Sequence, residues 1–249
     1  MNDEQLLRYS RQLMLPQVDV AGQQKLLDST VLIMGMGGLG SPAAMYLAAA
    51  GVGHLILADF DQVELSNLQR QIVHREDCVG LSKVDSAKQT LQTLNSEIKI
   101  TLISKKLTKE SLLTWLKQVD CVVDGTDNFT ARFGINEACV KSQTPLVSGA
   151  AIRFEGQVSV FDSSKGGPCY QCLYPDTGEE LAQTCSENGV LSPVVGIIGS
   201  IQATEVLKQL IGIGTTLASR LLLLDALTME WRTVKLKQDP QCPMCQSKQ

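Results

Sequence analysis

Histidine is almost missing from this sequence: His54 and His74 are the only two in 249 residues. Both read as packing or surface residues, so a histidine-driven hydride transfer has little to work with. Charge of one sign is missing too. The 22 basic residues are scattered among 26 acidic ones, for a net charge of −4, and no polybasic run stands out. That argues against nucleic acid and against a membrane surface as partners. Residues 1–11 are polar and charged and lack the apolar core of a signal peptide. Uninterrupted apolar runs such as 221–224 are far too short to span a bilayer. The expectation is a cytoplasmic protein.

What remains is ordinary for a folded enzyme: 44% hydrophobic and 19% charged residues, enough chain to bury a substantial core. The length suits one large α/β domain, or a nucleotide-binding half joined to a second half. Residues 4–14 and 22–27 have helical spacing. The apolar run 31–34 reads as a buried strand. A glycine turn at 35–40 follows, and Ser41-Pro42 has the form of a helix cap with proline in the first turn, opening a helix to Ala50. Strands are expected at 54–59, 99–103, 120–124 and 145–148, alternating with helices at 83–94, 109–117 and 128–142. Strand–helix alternation with short connections points to a Rossmann-like, doubly wound and mostly parallel sheet. After residue 150 the character changes. Residues 153–161 alternate like an antiparallel strand, and 166–191 form a polar crossover rich in Gly, Pro and Cys. Residues 193–210 form an apolar helix, and 220–226 with 231–237 form a strand pair.

Gly35-Met36-Gly37-Gly38-Leu39-Gly40 is a G-x-G-x-x-G string between a strand and a helix, the context that gives the motif meaning. The first glycine permits the tight turn and the second lets backbone N–H groups approach a phosphate. The third lets helix and strand pack closely, and the helix N-terminus favours an anion. Asp59 follows at the distance expected of a carboxylate that accepts from ribose hydroxyls. A nicotinamide dehydrogenase satisfies the same string.

Next come Asp61, Asn67, Arg70, Gln71 and Lys83, and then Asp124-Gly125-Thr126-Asp127-Asn128 at the C-terminal end of a strand. This set suits acyl adenylation. There the substrate carboxylate is itself the nucleophile, and no serine, cysteine or general base is needed for the step. The protein must hold two anions together and neutralise charge moving onto pyrophosphate, which Arg, Lys and a carboxylate-bound Mg²⁺ do. Plainer duties compete residue by residue: Arg70 and Lys83 as solvated charges, Asn67, Asp127 and Asn128 as turn or cap residues.

The string Ser66-Asn67-Leu68-Gln69-Arg70-Gln71 is joined by Arg8-Tyr9-Ser10-Arg11-Gln12 and by 124–128. Together they closely resemble the adenylating enzymes related to ubiquitin activation, in order along essentially the whole chain. The resemblance implies a single adenylating domain over 1–249. Within it, 1–150 is the ATP-binding half, and 151–249 is the carrier-docking half with the crossover and a zinc site. ATP would sit on Gly35, Gly37, Gly38 and Gly40. Asp59 would bind the ribose, Asn67, Arg70 and Lys83 would contact the phosphates, Asp61 and Gln71 would belong to the same nucleotide site, and Asp127 would hold Mg²⁺. Arg11 would reach into a partner subunit's ATP site, which makes the expected protein a homodimer. The implied substrate is a ubiquitin-like sulfur carrier ending in Gly-Gly. Residues 147–157 look like the molybdopterin branch, whose carrier is the small subunit of molybdopterin synthase, and 23–29 look like the thiamine branch. A non-catalytic docking subunit would be expected to lack one or more of Arg11, Arg70, Lys83 and Asp127, and all four are present.

Eight cysteines in a cytosolic chain are not expected to be a disulfide framework. Cys169-x-x-Cys172 and Cys242-x-x-Cys245 can each place two thiolates on one tetrahedral metal. Four thiolates leave no open position, so the metal would be structural zinc. The long gap between the pairs requires the fold to bring them together, and redox pairs or unrelated buried thiols are the alternatives. Their positions match the zinc pairs of the family. Cys185, alone in the crossover, matches a cysteine that in some relatives bonds covalently to the carrier or its sulfur, and it could equally be an incidental loop residue. Cys78, Cys121 and Cys139 read as packing residues. The sequence stops soon after Cys245, without the sulfur-donating domain some relatives carry, so a separate sulfur donor is expected.

Overall fold

The computed structural model describes residues 1–175 and 188–246. One eight-stranded sheet, in the order β3-β2-β1-β4-β5-β6-β7-β8, runs through the molecule. Its parallel part comprises β1 (Thr30–Met34), β2 (His54–Ala58), β3 (Lys99–Ile103), β4 (Cys121–Asp124) and β5 (Leu146–Ile152). β6 (Glu155–Phe161), β7 (Arg220–Asp225) and β8 (Glu230–Lys235) extend it antiparallel. Among the described residues the α-helices are α1 (Asp3–Arg8), α2 (Ser10–Leu13), α3 (Asp19–Asp28), α4 (Gly40–Ala50), α5 (Lys83–Leu94), α6 (Lys109–Leu116), α7 (Phe129–Ser142), α8 (Tyr170–Leu173), α9 (Ser192–Ile211) and α10 (Pro243–Gln246).

The central strands are apolar without alternation because both faces are covered. Val31 and Ile33 of β1 face one core with Leu47 of α4, Leu91 of α5 and Ile198 and Val206 of α9. Leu32, between them, faces the other core with Leu112 and Leu116 of α6 and Ile135 of α7. The chain runs from β1 outward to β2 and β3 on one side, then crosses back from β3 to β4 on the other side of β1 and on to β5. The crevice between the C-terminal ends of β1 and β4 is therefore the topological switch point, where such sheets bind ligands.

Two sequence expectations need correction. Ser41 is not the cap of α4: the capping position is Leu39, without a side-chain cap, and Ser41 Oγ is buried inside the helix without a hydrogen bond. The glycine turn runs straight into the helix, so its first N–H groups are left for another acceptor. Run length also understated α9, which over its 20 residues is long and apolar enough to cross a membrane, with mean hydropathy 1.3. Half of it is buried inside the protein, where it packs on the sheet as a core helix.

Candidate active site

A cleft of about 1530 Å³ opens at the switch point. Gly35, Gly37, Gly38, Asp59, Asp61, Arg70, Gln71, Lys83 and Asp127 all line it, together with the start of α6, the start of α7 and the ends of β5, β6 and β7. The cleft therefore reaches from the parallel half of the sheet into the antiparallel half, and it is larger than the roughly 300–1,000 Å³ of ordinary small-ligand pockets.

The glycine loop is held from both sides. Gly35 adopts φ +90°, open to glycine, and a Cβ there would lie 2.9 Å from the Gly125 carbonyl oxygen. A Cβ on Gly40 would stand 1.9 Å from the Gly35 carbonyl oxygen, so the third glycine serves the close return of helix on turn rather than the cleft itself. Gly37 faces open space, its nearest neighbour being Gln71 Nε2 at 3.7 Å from an added Cβ. Between the glycines, Met36 is pinned twice. Its N–H donates to Asp59 Oδ2 at 2.7 Å, and its carbonyl lies 2.9 Å from His74 Nε2. His74 Nδ1 in turn meets Ser86 Oγ at 2.9 Å. Burial holds His74 below the ordinary histidine range, so a neutral ring donates to Met36 and accepts from Ser86. His74 is thus a support of the glycine loop, a duty that sequence reasoning missed because no motif surrounds it.

Asp59 also accepts from the Asp61 N–H at 2.9 Å. Burial pushes its carboxyl up, against the opposing pull of Lys83 and those two N–H donors. Lys83, first residue of α5, is buried, and its ammonium donates to Asp61 Oδ2 at 2.9 Å. Arg70 donates to the Ser66 carbonyl at 3.2 Å and still borders the cleft. Asn67 does not border it. Its side-chain oxygen accepts from the Glu64 N–H at 3.2 Å and closes the turn that carries Arg70. Gln71 is buried with Oε1 lacking a hydrogen bond, facing the underside of the loop.

Across the cleft, Asp124 is buried at the end of β4. One carboxylate oxygen takes the Thr126 N–H (3.0 Å) and hydroxyl (2.7 Å), and the other takes the Ser148 hydroxyl (2.9 Å). This folds the turn back so that Asn128 caps α7, accepting from the Ala131 N–H at 2.8 Å. Asp127 is left exposed in the cleft. Gln202 of α9 and Arg132 of α7 brace the same turn from below. Neither carried a sequence signal, since each looks like an ordinary polar residue of a helix.

Arg11 lies outside the cleft on an exposed surface, with Nη1 3.8 Å from Met14 Sδ. Its neighbours are firmly seated: Tyr9 is buried, with its hydroxyl accepting from Asn95 Nδ2 at 2.9 Å, and Gln12 donates to the Ala50 carbonyl at 3.1 Å.

The four cysteines of the two C-x-x-C pairs converge. Their sulfurs all lie within 4.8 Å of one another, with separations of 3.9 Å (Cys169–Cys172), 3.7 Å (Cys169–Cys242) and 3.5 Å (Cys172–Cys245). A tetrahedron with Zn–S bonds of about 2.3 Å has edges of about 3.8 Å, so the donor set fits structural zinc. Burial pushes the Cys169 thiol up and Cys172 to about 11, a trend that a bound cation reverses by favouring thiolates. The cluster packs on Val140 of α7. It also anchors α8, whose Tyr170, with the neighbouring Tyr174, lines the cleft. Cys185 lies outside the described residues.

Comparison with known proteins bears on this geometry. A family model described as the ThiF family matches residues 9–244. The chain is 46% identical over 245 residues to the molybdopterin-synthase adenylyltransferase of Escherichia coli K12, covering 98% of each. It is also 46% identical over 245 residues to the sulfur carrier protein ThiS adenylyltransferase of the same organism, covering 98% of this chain and 97% of the relative. To the adenylyltransferase and sulfurtransferase MOCS3 of Culex quinquefasciatus it is 47% identical over 238 residues, 95% of this chain but 54% of the relative, so it spans about half that protein's length. Among solved structures, E. coli MccB with ATP matches with a TM-score of 0.80 at 25% identity, over 91% of this chain and 70% of that one.

Proposed function

The chain belongs to the ThiF family, and on that premise we propose that it transfers AMP from ATP to the C-terminal carboxylate of a ubiquitin-like sulfur carrier ending in Gly-Gly, releasing pyrophosphate. The dehydrogenase alternative for the glycine loop is set aside by that membership. The observation that carries the proposal is the convergence of the loop, Asp59, Arg70, Lys83 and Asp127 on one cleft of about 1530 Å³ that continues into the antiparallel half of the sheet.

The uncapped N-terminus of α4 and the open backbone at Gly37 receive phosphate oxygens. Asp59 keeps lone pairs free for ribose hydroxyls beyond the two N–H groups it already accepts. The carrier carboxylate attacks the α-phosphorus, and its electron pair forms the new acyl–phosphate bond as the bond to pyrophosphate breaks. Arg70 and Lys83 neutralise the charge that collects on the leaving group. Asp127, whose carboxylate faces the cleft, would hold Mg²⁺, which supplies further charge neutralisation when bound. The four cysteines would hold structural zinc and so fix the Tyr170–Tyr174 wall.

In this reading residues 1–150 serve the nucleotide and 151–249 dock the carrier. The carrier is the small subunit of molybdopterin synthase, on the strength of residues 147–157. The thiamine-pathway carrier is the second reading, favoured by the equal 46% identity to the ThiS enzyme. The working form is a homodimer. Exposed apolar side chains support it, among them Leu7, Met14, Leu15 and Val20 near the N-terminus and Phe60, Leu65, Ile72 and Val79 between β2 and α5, as does an Arg11 that does not border its own cleft. The compartment is the cytoplasm, and sulfur comes from a separate donor.

ATP–pyrophosphate exchange tests the proposal. Exchange dependent on the molybdopterin-type carrier, and abolished in a folded Arg70→Ala variant, is the expected result. Exchange only with the thiamine-type carrier moves the protein to the second reading. Absence of exchange with both, from folded metal-loaded protein, refutes it.

A further inference from the structure

We propose that Arg132 is a positioning residue for the adenylation site, tying the turn that carries Asp127 to strand β5. The inference rests on the function proposed above and adds a residue to it. Arg132 sits in the first turns of α7 and is 8% exposed. One nitrogen, Nη2, donates to the Thr126 carbonyl at 2.7 Å and to the Gly149 carbonyl at 3.1 Å. Thr126 immediately precedes Asp127, and Gly149 belongs to β5, so a single guanidinium spans the seam between the turn and the neighbouring strand.

Several features mark this as more than packing. A buried cation near a helix N-terminus opposes the helix dipole, so the placement is not a helix-stabilising one. The neighbouring carboxylate of Asp124 accepts its hydrogen bonds from Thr126 and Ser148, and acts on Arg132 through its charge, which with Tyr170 opposes the cost of burying the guanidinium. Arg132 Nε is buried without a hydrogen bond, an arrangement that a purely structural arginine would be expected to avoid. What the arrangement does provide is a fixed path for residues 125–128, with Asp124 gripping Thr126 from its N–H side and Arg132 from its carbonyl side. Asp127 then has little freedom to leave the cleft. Gln202 cannot substitute for the tie, because it braces the turn only at its start, through the Asp124 carbonyl, with its other bond to the Val147 carbonyl, and leaves Thr126 to Arg132.

Lysine at 132 keeps the charge but replaces the planar guanidinium, whose Nη2 is aimed at both carbonyls, by a more mobile ammonium. Displacement of a reacting group by an ångström lowers turnover roughly a hundredfold. Arg132→Lys is therefore expected to lower kcat of carrier-dependent ATP–pyrophosphate exchange roughly a hundredfold, a loss larger than its effects on melting temperature and ATP affinity account for. A double-mutant cycle with Asp127→Asn gives the readout that a structural role would not move. If Arg132 acts through Asp127, the double variant loses no more than Asp127→Asn alone. If Arg132→Lys does not fold, Arg132→Gln, which keeps one amide donor, takes its place in the cycle. Wild-type exchange in the Arg132 variant with Asp127→Asn impaired overturns this inference alone, as do losses that multiply or a loss that follows melting. Wild-type exchange in Asp127→Asn overturns the functional reading of Asp127 and this inference with it.

Discussion

Replacing Lys83 by methionine separates the chemistry of the cleft from the stability of its walls. The Lys83 side chain is 9% exposed and its ammonium lies 2.9 Å from Asp61, whose side chain is 52% exposed. An ion pair with so exposed a partner contributes only about 0–1 kcal/mol to folding, and methionine fills most of the volume of the lysine stem. A change of 1 kcal/mol in a chain of this size moves the melting temperature by about 2–4 °C, which bounds the expected shift. The effect on turnover is far larger, because a preorganised cation facing developing charge supplies about 3–4 kcal/mol, a hundredfold or more in rate. A second signature follows from Asp59. Burial raises its pKa and Lys83 opposes the rise, so without Lys83 it rises further. A raised carboxylate favours the fold while protonated, and that contribution is lost as pH rises through the folded-state pKa. In Lys83→Met this window extends to higher pH, and the acid limb of ATP binding moves up with it. Exchange kinetics, thermal melts and ATP titrations across pH read all three. Turnover within tenfold of wild type, or a loss that follows melting, would refute the reasoning.

Gly40→Ala places a methyl against the Gly35 carbonyl, where an added Cβ would lie 1.9 Å away. Overpacking of this kind costs about 1–3 kcal/mol or more, and it should weaken ATP binding measured by calorimetry, because the loop must open. Metal analysis should find about one zinc per chain, and Cys242→Ser should lose that metal and lower the melting temperature; a folded, metal-free wild type would contradict the tetrathiolate reading. His74 is held neutral by burial, so its contribution is present above the ordinary histidine range and lost as pH falls through its lower folded pKa. ATP affinity should weaken over that interval in the wild type, and His74→Gln should flatten the dependence.

Much of the scaffold was legible from periodicity. The helix at 83–94 and the strand at 99–103 agree with α5 and β3 residue for residue, because Ser82 caps one and an alternating apolar pattern marks the other. The start of α4 was misread because Ser41-Pro42 has the form of a cap, whereas the backbone of the glycine loop enters the helix directly. The cysteine pairs announced a metal, yet only the packing of α8 and α10 on α7 shows that they meet. His74, Arg132 and Gln202 stayed hidden for a shared reason. Each acts through hydrogen bonds to backbone carbonyls of other elements, Met36, Gly149 and Asp124, and such contacts leave no spacing in the sequence.

The central claim is a covalent one, that the carrier's terminal carboxylate receives AMP. Intact-mass analysis of a Gly-Gly-terminated carrier, quenched after incubation with ATP, Mg²⁺ and stoichiometric enzyme, tests it directly. An adduct of one AMP, missing from a carrier shortened by its last glycine and from reactions with Arg70→Ala, is the predicted result. Unmodified carrier of both the molybdopterin and the thiamine type, with folded, metal-loaded enzyme, would contradict it.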